Sequence, residues 1–289
     1  MSLVWQDRER IRNEESVRGV NRQTPIAMLF ASRCNTENIK PIKTNIWAGN
    51  GKQSLFLYRK GFASHKDTYL GVKGGSPQNS HAHMDGGSFI YEWGGVRWAV
   101  DLGNQDYHSL ESKGIGLWKK GQKSQRWQVY RLNNFSHNTL TINEKLHQYK
   151  GMATLTNVYE KRKRKGAKFD LSSLFIDTES VTRNISVDEN DKVTCVDKVL
   201  SRNTKCSIRW NMTTFAEAEI VDKHTIRLKQ DGKELLLRVA SPKSAEAYIM
   251  NNNSDNWYDV KNKGVRVGFT SILAPYSSAI IKVELIPQK

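Results

Sequence analysis

The chain has 289 residues, with 45 Lys and Arg against 29 Asp and Glu, giving a formal charge of +16 at neutral pH. Hydrophobic residues make up 38% and aromatics 9%, enough to build one or two packed domains and too much for a disordered chain. No apolar run has the length of a membrane-crossing helix, and no signal-peptide pattern opens the sequence, although an exported protein whose signal is already removed reads the same way.

A field of this sign favours polyanions: nucleic acid, an anionic membrane surface or an acidic polysaccharide. Charge alone does not choose among them. The three cysteines, Cys34, Cys195 and Cys206, have no finger or Cys-x-x-Cys spacing. Cys195 and Cys206 fall in neighbouring strand segments, and whether they pair stays open.

In chain order, residues 1–23 are polar and charged. Thr24-Pro25 reads as a helix start, a capping hydroxyl followed by proline at the first helical position. Ile26, Met28, Leu29 and Phe30 supply the apolar part of a short helix ending near Cys34-Asn35. Residues 1–45 therefore read as a polar and helical lead-in, and 46–289 as the main domain. From Trp47 onward the pattern changes to strands and tight turns, beginning with Ser54 to Arg59. Phe89, Tyr91 and Trp93 alternate with Ile90 and Glu92, Gly94-Gly95 follows, and Val96, Trp98 and Val100 alternate with Arg97 and Ala99. Two alternating runs joined by Gly-Gly predict a hairpin. A two-residue loop pairs Trp93 with Val96, Tyr91 with Trp98 and Phe89 with Val100. The same register sets Glu92 against Arg97, Ile90 against Ala99 and Ser88 against Asp101.

Further strands are expected at Thr139 to Ile142, Val181 to Val187, Lys192 to Leu200, Cys206 to Met212, His224 to Leu228, Glu234 to Ala240, Val265 to Thr270 and Ala279 to Leu285. Many short strands with few helices predict an all-β protein, a large antiparallel β-sandwich of the supersandwich kind. Residues 103–134 break the pattern as a long irregular insert with exposed aromatics (Tyr107, Trp118, Trp127, Tyr130), the kind of segment that carries function or is disordered. The run Lys161 to Lys168 is the densest cluster of positive charge. It reads as a solvated hairpin, or as a site for nucleic acid or a sulfated glycan.

Chemistry concentrates in Asn79-Ser80-His81-Ala82-His83-Met84-Asp85-Gly86-Gly87-Ser88. In extended backbone, residues i and i+2 share a side, so His81 and His83 are expected to face one site. His83, Asp101 and His137 are a candidate ligand set for Zn²⁺, against the alternative of three unrelated polar residues at strand ends. Asp85 is a competing carboxylate, or Asp85-Gly86-Gly87 is a turn. His81, beside a ligand histidine, is suited to acid–base work near neutral pH; a histidine hydrogen-bonded within its loop is the plainer reading. No Gly-x-Ser-x-Gly elbow and no Walker loop occur.

Lys73-Gly74-Gly75, the block Asn79 to Phe89, Trp98-Ala99-Val100-Asp101-Leu102-Gly103 and Ser136-His137-Asn138-Thr139-Leu140 occur in this order. Together they resemble the C-terminal β-sandwich of the heparinase II/III-like polysaccharide lyases, and Arg183-Asn184-Ile185 and Asn262-Lys263-Gly264-Val265 are compatible with it. The resemblance runs from about Trp47 to the C-terminus, and the His-x-His-x-Asp block is its most specific part. It implies an enzyme in which an N-terminal (α/α) toroid packs on this sandwich with the active cleft between them. Such enzymes cleave uronic-acid-containing acidic polysaccharides, heparan sulfate-like or alginate-like, by β-elimination.

The resemblance further implies that His81 reaches into the cleft as a catalytic residue. His83, Asp101 and His137 would hold one structural zinc that fixes the loop bearing His81. In the family the toroid supplies an Asn, a His and the Tyr that serve as base and acid. Here the toroid is missing apart from the short helix near 24–34, its remnant, so this chain alone is expected to show little or no lyase activity. The basic insert 113–131, with Trp118, Trp127, Lys119 and Arg126, is expected to add substrate contacts. Expected partners are an acidic polysaccharide and the missing toroid, with no nucleic acid and no membrane span, in a periplasmic or secreted protein. A different class of reading is a non-catalytic glycan-binding or scaffolding sandwich. The upstream reading frame separates the two.

Overall fold

In the computed structural model, residues 24–35, 44–61, 64–161 and 163–288 are described; the polar segment 1–23 lies outside them, as does one residue of the basic run. Nearly all of the regular structure is antiparallel strand. The first sheet has five strands in sequential order: β1 (Ile46–Gly49), β2 (Leu55–Arg59), β3 (Tyr69–Lys73), β4 (Phe89–Trp93) and β5 (Val96–Ala99). Helix α1 (Thr24–Ser32) precedes it, as the Thr-Pro signal predicts, and α2 (Tyr107–Glu111) follows it.

Eight strands make the largest sheet. β7 (Thr154–Lys161), β8 (Arg164–Asp170), β9 (Thr178–Asp188) and β10 (Val193–Ser201) lie side by side, followed by β17 (Ser278–Gln288), β14 (Lys233–Ser241), β13 (Thr225–Gln230) and β12 (Glu217–Asp222). The remaining sheet runs β15 (Glu246–Asn251), β16 (Val265–Leu273), β11 (Cys206–Thr214), β6 (Leu140–Ile142). Alternation drives this arrangement: inward residues such as Phe56, Tyr91, Trp210, Ile185 and Val283 join one hydrophobic core shared by the sheets, while their neighbours along each strand point to the opposite face, some of them, such as Asn211 and Glu284, also buried. Burial of that apolar surface is the main stabilising term. All eight later strands expected from the sequence are present. β1, β3, β12 and β15 were not foreseen: β3 has Gly71 at its centre, and β12 is largely exposed on both faces.

The β4–β5 hairpin forms on Gly94-Gly95, whose φ angles of 64° and 86° suit a turn that only residues free to adopt positive φ accept. Its expected register holds for Trp93–Val96 and Glu92–Arg97 and then fails. Tyr91 pairs with Ala99, not Trp98. Trp98 is the extra residue of a β-bulge; its ring is fully buried and its Nε1 donates to the Trp93 carbonyl at 3.2 Å. The ladder does not reach Ser88 and Asp101. Instead Val100 bridges to Thr213 of β11, its N–H donating to the Thr213 carbonyl at 2.9 Å, which ties the first sheet to the four-stranded one.

The insert 103–134 is ordered. Leu110, Ile115, Leu117, Val129 and Leu132 pack with Tyr258 in a second, smaller core, and two 3₁₀ turns, Gln125–Gln128 and Tyr130–Leu132, shape its end. Trp127 and Tyr130, expected to be exposed, are buried at 3% and 6% exposure, whereas Trp118 is 57% exposed. Cys195 and Cys206 are both buried and both free; they belong to different sheets, β10 and β11, which settles the open pairing. The basic run is the β7–β8 hairpin itself, with Lys165 ion-paired to Glu160 at 2.8 Å.

Candidate active site and metal centre

Three chain segments converge beside the five-stranded sheet. The first is the loop from Gly74 to Ser88, between β3 and β4. The second is the end of β5, which delivers Asp101. The third is the turn before β6, which delivers His137. Asn138 holds all three: its Nδ2 donates to the Phe89 carbonyl at 2.7 Å and the Val100 carbonyl at 2.9 Å, and its Oδ1 accepts the Thr213 N–H at 2.7 Å. Thr139 Oγ1 donates to the Gly86 carbonyl at 2.8 Å. Beneath them lies Arg183, fully buried, paired with the equally buried Asp197 through two bonds of 2.8 Å. Its Nη1 donates to the carbonyls of Gly87 at 2.7 Å and Asn138 at 2.9 Å. One guanidinium thus fixes the loop bearing the first two histidines to the turn bearing the third.

His83, Asp85 and His137 each present a ligand atom, and the three atoms lie within 4.8 Å of one another. Asp101, expected from the sequence as a ligand with His83 and His137, stands behind this group: its Oδ2 and Nδ1 of His137 are 2.7 Å apart. With Nδ1–H donating to that carboxylate, the Nε2 of His137 carries a lone pair, and this atom is buried with no hydrogen-bond partner among the described residues. A buried polar atom without a partner is costly, and an imidazole held by a carboxylate from behind is the usual support of a metal-ligating histidine. The donor set of two imidazoles and a carboxylate suits a divalent ion of the zinc type. Asp85 is also ion-paired to Lys73, which balances its charge, and its carbonyl accepts the Ser88 N–H at 3.0 Å, so the turn reading of Asp85 holds and the same residue sets its carboxylate beside the two imidazoles.

Electrostatics ready His83 for ligation, whereas the Asp101 carboxylate draws a second proton toward His137 that a bound ion would have to displace. Burial, then the neighbouring His137, lowers the His83 pKa to about 4, so the ring is neutral and able to ligate at physiological pH. Burial opposes ionisation of Asp101, but the charge and hydrogen bond of His137, with the Gly103 N–H, outweigh it and hold the carboxyl well below its ordinary value. The same pair works on His137, where burial favours the neutral ring and Asp101 overrides it, raising the pKa.

His81 does not run extended with His83. Its φ is 59°, a left-handed conformation uncommon outside glycine, and this turns the two rings apart. The His83 ring faces His137, with centroids 5.3 Å apart. The His81 ring stacks on Tyr107 at 5.8 Å and meets the edge of Trp118 at 5.5 Å. Both histidines still line one cavity of about 540 Å³, walled by Leu55, Leu57, Tyr69 and Lys73 among others. Arg126 supports His81 from below: buried at 6% exposure, it donates from Nε and Nη2 to the Ala82 carbonyl at 3.2 and 2.9 Å, and from Nη2 to the Tyr107 hydroxyl at 3.2 Å. That hydroxyl lies 3.4 Å from Nδ1 of His81.

Of the substrate-contact residues expected from the sequence, Trp118 and Lys119 are exposed beside His81, whereas Arg126 is a buried support of the loop and Trp127 is buried in the insert, its Nε1 donating to the Gly121 carbonyl at 2.9 Å. Sequence reasoning gave no role to Tyr107, Arg183 or Asn138. Tyr107 stood out only as one of several aromatics in the insert, and the partners of Arg183 and Asn138 lie 14 to 96 residues away in sequence.

Fold and site together define a domain type: a multi-sheet antiparallel sandwich carrying a loop-built His/Asp centre at the mouth of a cleft. The model of the heparinase II/III-like C-terminal family matches residues 56–277, and the chain belongs to that family. Among solved structures, the heparan sulfate lyase HepC from Pedobacter heparinus superposes with a TM-score of 0.69 at 12% identity, covering 91% of this chain and 41% of its own. A heparinase III superposes with a TM-score of 0.67 at 16% identity, covering 88% and 38%. At such identities the likeness is one of fold, and this chain spans about two fifths of the length of these structures. No curated protein matches the sequence.

Proposed function

We propose that this sandwich is one wall of the active cleft of a polysaccharide lyase acting by β-elimination on a uronic-acid polymer, and that His81 is its catalytic side chain. The carrying observation is the presentation of His81. A buried arginine, a stacked tyrosine and a left-handed backbone hold one imidazole at the wall of a cleft in a chain of the heparinase II/III-like family. Elimination removes the C5 proton of the uronate, forms the C4–C5 double bond, breaks the C4–O4 bond and returns a proton to O4. It needs a base, a donor to the carboxylate as charge spreads onto it, and an acid. Arg126 donates to the Tyr107 oxygen, and a Tyr107 hydroxyl hydrogen turned to Nδ1 of His81 would leave the ring proton on Nε2 as a donor toward an anionic substrate oxygen.

His83, Asp85 and His137 would hold a zinc ion, with Asp101 orienting His137. A bound ion would supply a rigid electrostatic anchor for the loop that carries His81. The remaining groups belong to a helical domain that would face this wall. Helix α1 favours such a partner, because its Ile26, Met28, Leu29 and Phe30 are all more than half exposed, an apolar surface that needs cover. A polymeric substrate of this kind places the protein in the periplasm or outside the cell.

The test is to assay the 289-residue chain and the protein extended through its upstream reading frame on heparan sulfate, other glycosaminoglycans and alginate. Unsaturated uronate from the extended protein only is the expected result. An upstream frame with no helical domain, and no product from any polymer, would support the non-catalytic glycan-binding module instead.

A further inference from the structure

On the far side of His81 from the main cleft lies a smaller cavity of about 170 Å³. Ser80 and His81 line both cavities, so a chain bound along this wall passes from one to the other across the His81 ring. Among the described residues, three cations, Lys119, Lys120 and Arg126, line the small cavity, and no carboxylate does. The basic β7–β8 hairpin differs, because the hollow beside it also contains Asp188 and Glu189.

Arg126 is the informative member. Its guanidinium is buried, no carboxylate of the described residues is ion-paired with it, and its three bonds, from Nε and Nη2, all go to neutral oxygens. A buried charge without a counter-charge is costly, and an anion in the cavity that Arg126 lines would remove that cost. Trp118 adds an exposed aromatic wall at the same opening, oriented by its Nε1 donating to Glu111 at 2.6 Å. Aromatic faces of this kind bind the apolar side of a ring.

We propose that this cavity is an anion subsite for a sulfate or carboxylate substituent on a sugar of the bound polysaccharide, next to the sugar held at His81. Arg126 forms its floor, Lys119 and Lys120 its rim and Trp118 its side. The proposal rests on the polysaccharide reading above and adds the chemical group that this part of the wall selects.

The test is calorimetric titration of the chain with three tetrasaccharides: a heparan sulfate tetrasaccharide, its fully desulfated form, and the desulfated form with its carboxyls reduced. The variants are Lys119→Ala/Lys120→Ala, Arg126→Gln and, as a control for the general positive field, Lys163→Ala/Arg164→Ala. We expect the rim variant to weaken binding of the anionic saccharides by roughly tenfold or more, and the hairpin variant to weaken it far less. Loss of that sensitivity on desulfation assigns the pocket to sulfate, and loss only on carboxyl reduction assigns it to carboxylate. Because the rim lysines are exposed, the rim variant tests the pocket even if Arg126→Gln does not fold. Tight binding of a charged saccharide that is indifferent to the rim variant overturns the subsite and leaves the lyase reading standing. Failure of every saccharide to bind overturns the subsite, while the lyase reading is decided separately by unsaturated uronate formation by the extended protein.

Discussion

Nδ1 of His137 lies 2.7 Å from the Asp101 carboxylate, and Nε2 of the same ring is buried without a partner among the described residues. The carboxylate fixes the tautomer and aims the free lone pair at the space shared with His83 and Asp85. Asp101→Asn should therefore keep the fold while reducing zinc affinity by about 10- to 100-fold. Competition with a chromophoric chelator measures this, and unchanged affinity would mean that Asp101 does not orient a ligand.

The two carboxylates are separable. Asp85 provides one of three ligand atoms within 4.8 Å of each other. Asp85→Asn and His83→Ala should each lower the zinc content well below one per chain. Elemental analysis of protein purified without added metal would expose the alternative, in which wild type and variants carry equally little.

Arg183 and Asp197 form a pair with no exposed surface on either side chain. Asp197→Asn leaves the guanidinium charged in the core and should lower stability by about 3–5 kcal/mol in denaturant unfolding. It should also loosen the Gly87 and Asn138 carbonyls that the guanidinium holds. A loss below about 1 kcal/mol, the scale of an ordinary surface pair, would remove Arg183 as the anchor of the two loops.

Acid should destabilise the protein in a defined window. His147 is fully buried, with Nε2 bonded to the Leu140 carbonyl at 3.1 Å and Nδ1 unpartnered, and burial lowers its pKa from 6.5 to about 4. Below pH 6.5 the unfolded chain takes up the proton before the folded one, so stability rises with pH between about 4 and 6.5. The contribution of this one group is up to about 3 kcal/mol, and His83 acts in the same direction. The raised pKa of His137 works oppositely: its share is complete below 6.5 and is lost as pH climbs through the folded value. His147→Leu should flatten the acid side of the stability curve. A curve as steep as that of the wild type would show that His147 is not the group responsible.

Strand placement was legible because alternation in segments such as Val181 to Val187 reports burial directly, and Gly94-Gly95 announces its turn. The bulge at Trp98 was not, since a turn fixes register only for the pairs beside it and a large indole can force an extra residue into the core. The histidines and acids of the site were legible as residue types, yet their division of labour was not. Whether Asp85 or Asp101 meets the imidazoles depends on how three distant segments converge. His81 was expected to be extended because nothing in its neighbours signals a φ of 59°. The insert looked exposed because Leu110, Ile115, Leu117, Val129 and Leu132 follow no strand or helix period, although they share a core.

The central claim is that His81, held by Tyr107 and Arg126 at the cleft wall, performs chemistry on a uronate polymer. Its most direct test is the rate of unsaturated uronate formation by the protein extended through its upstream frame, wild type against His81→Ala, at matched zinc content. The account predicts a fall in kcat of at least about 100-fold, the usual scale for loss of one donor to charge developing in the transition state, with the fold and the metal retained. Turnover by His81→Ala within a few-fold of wild type would contradict it.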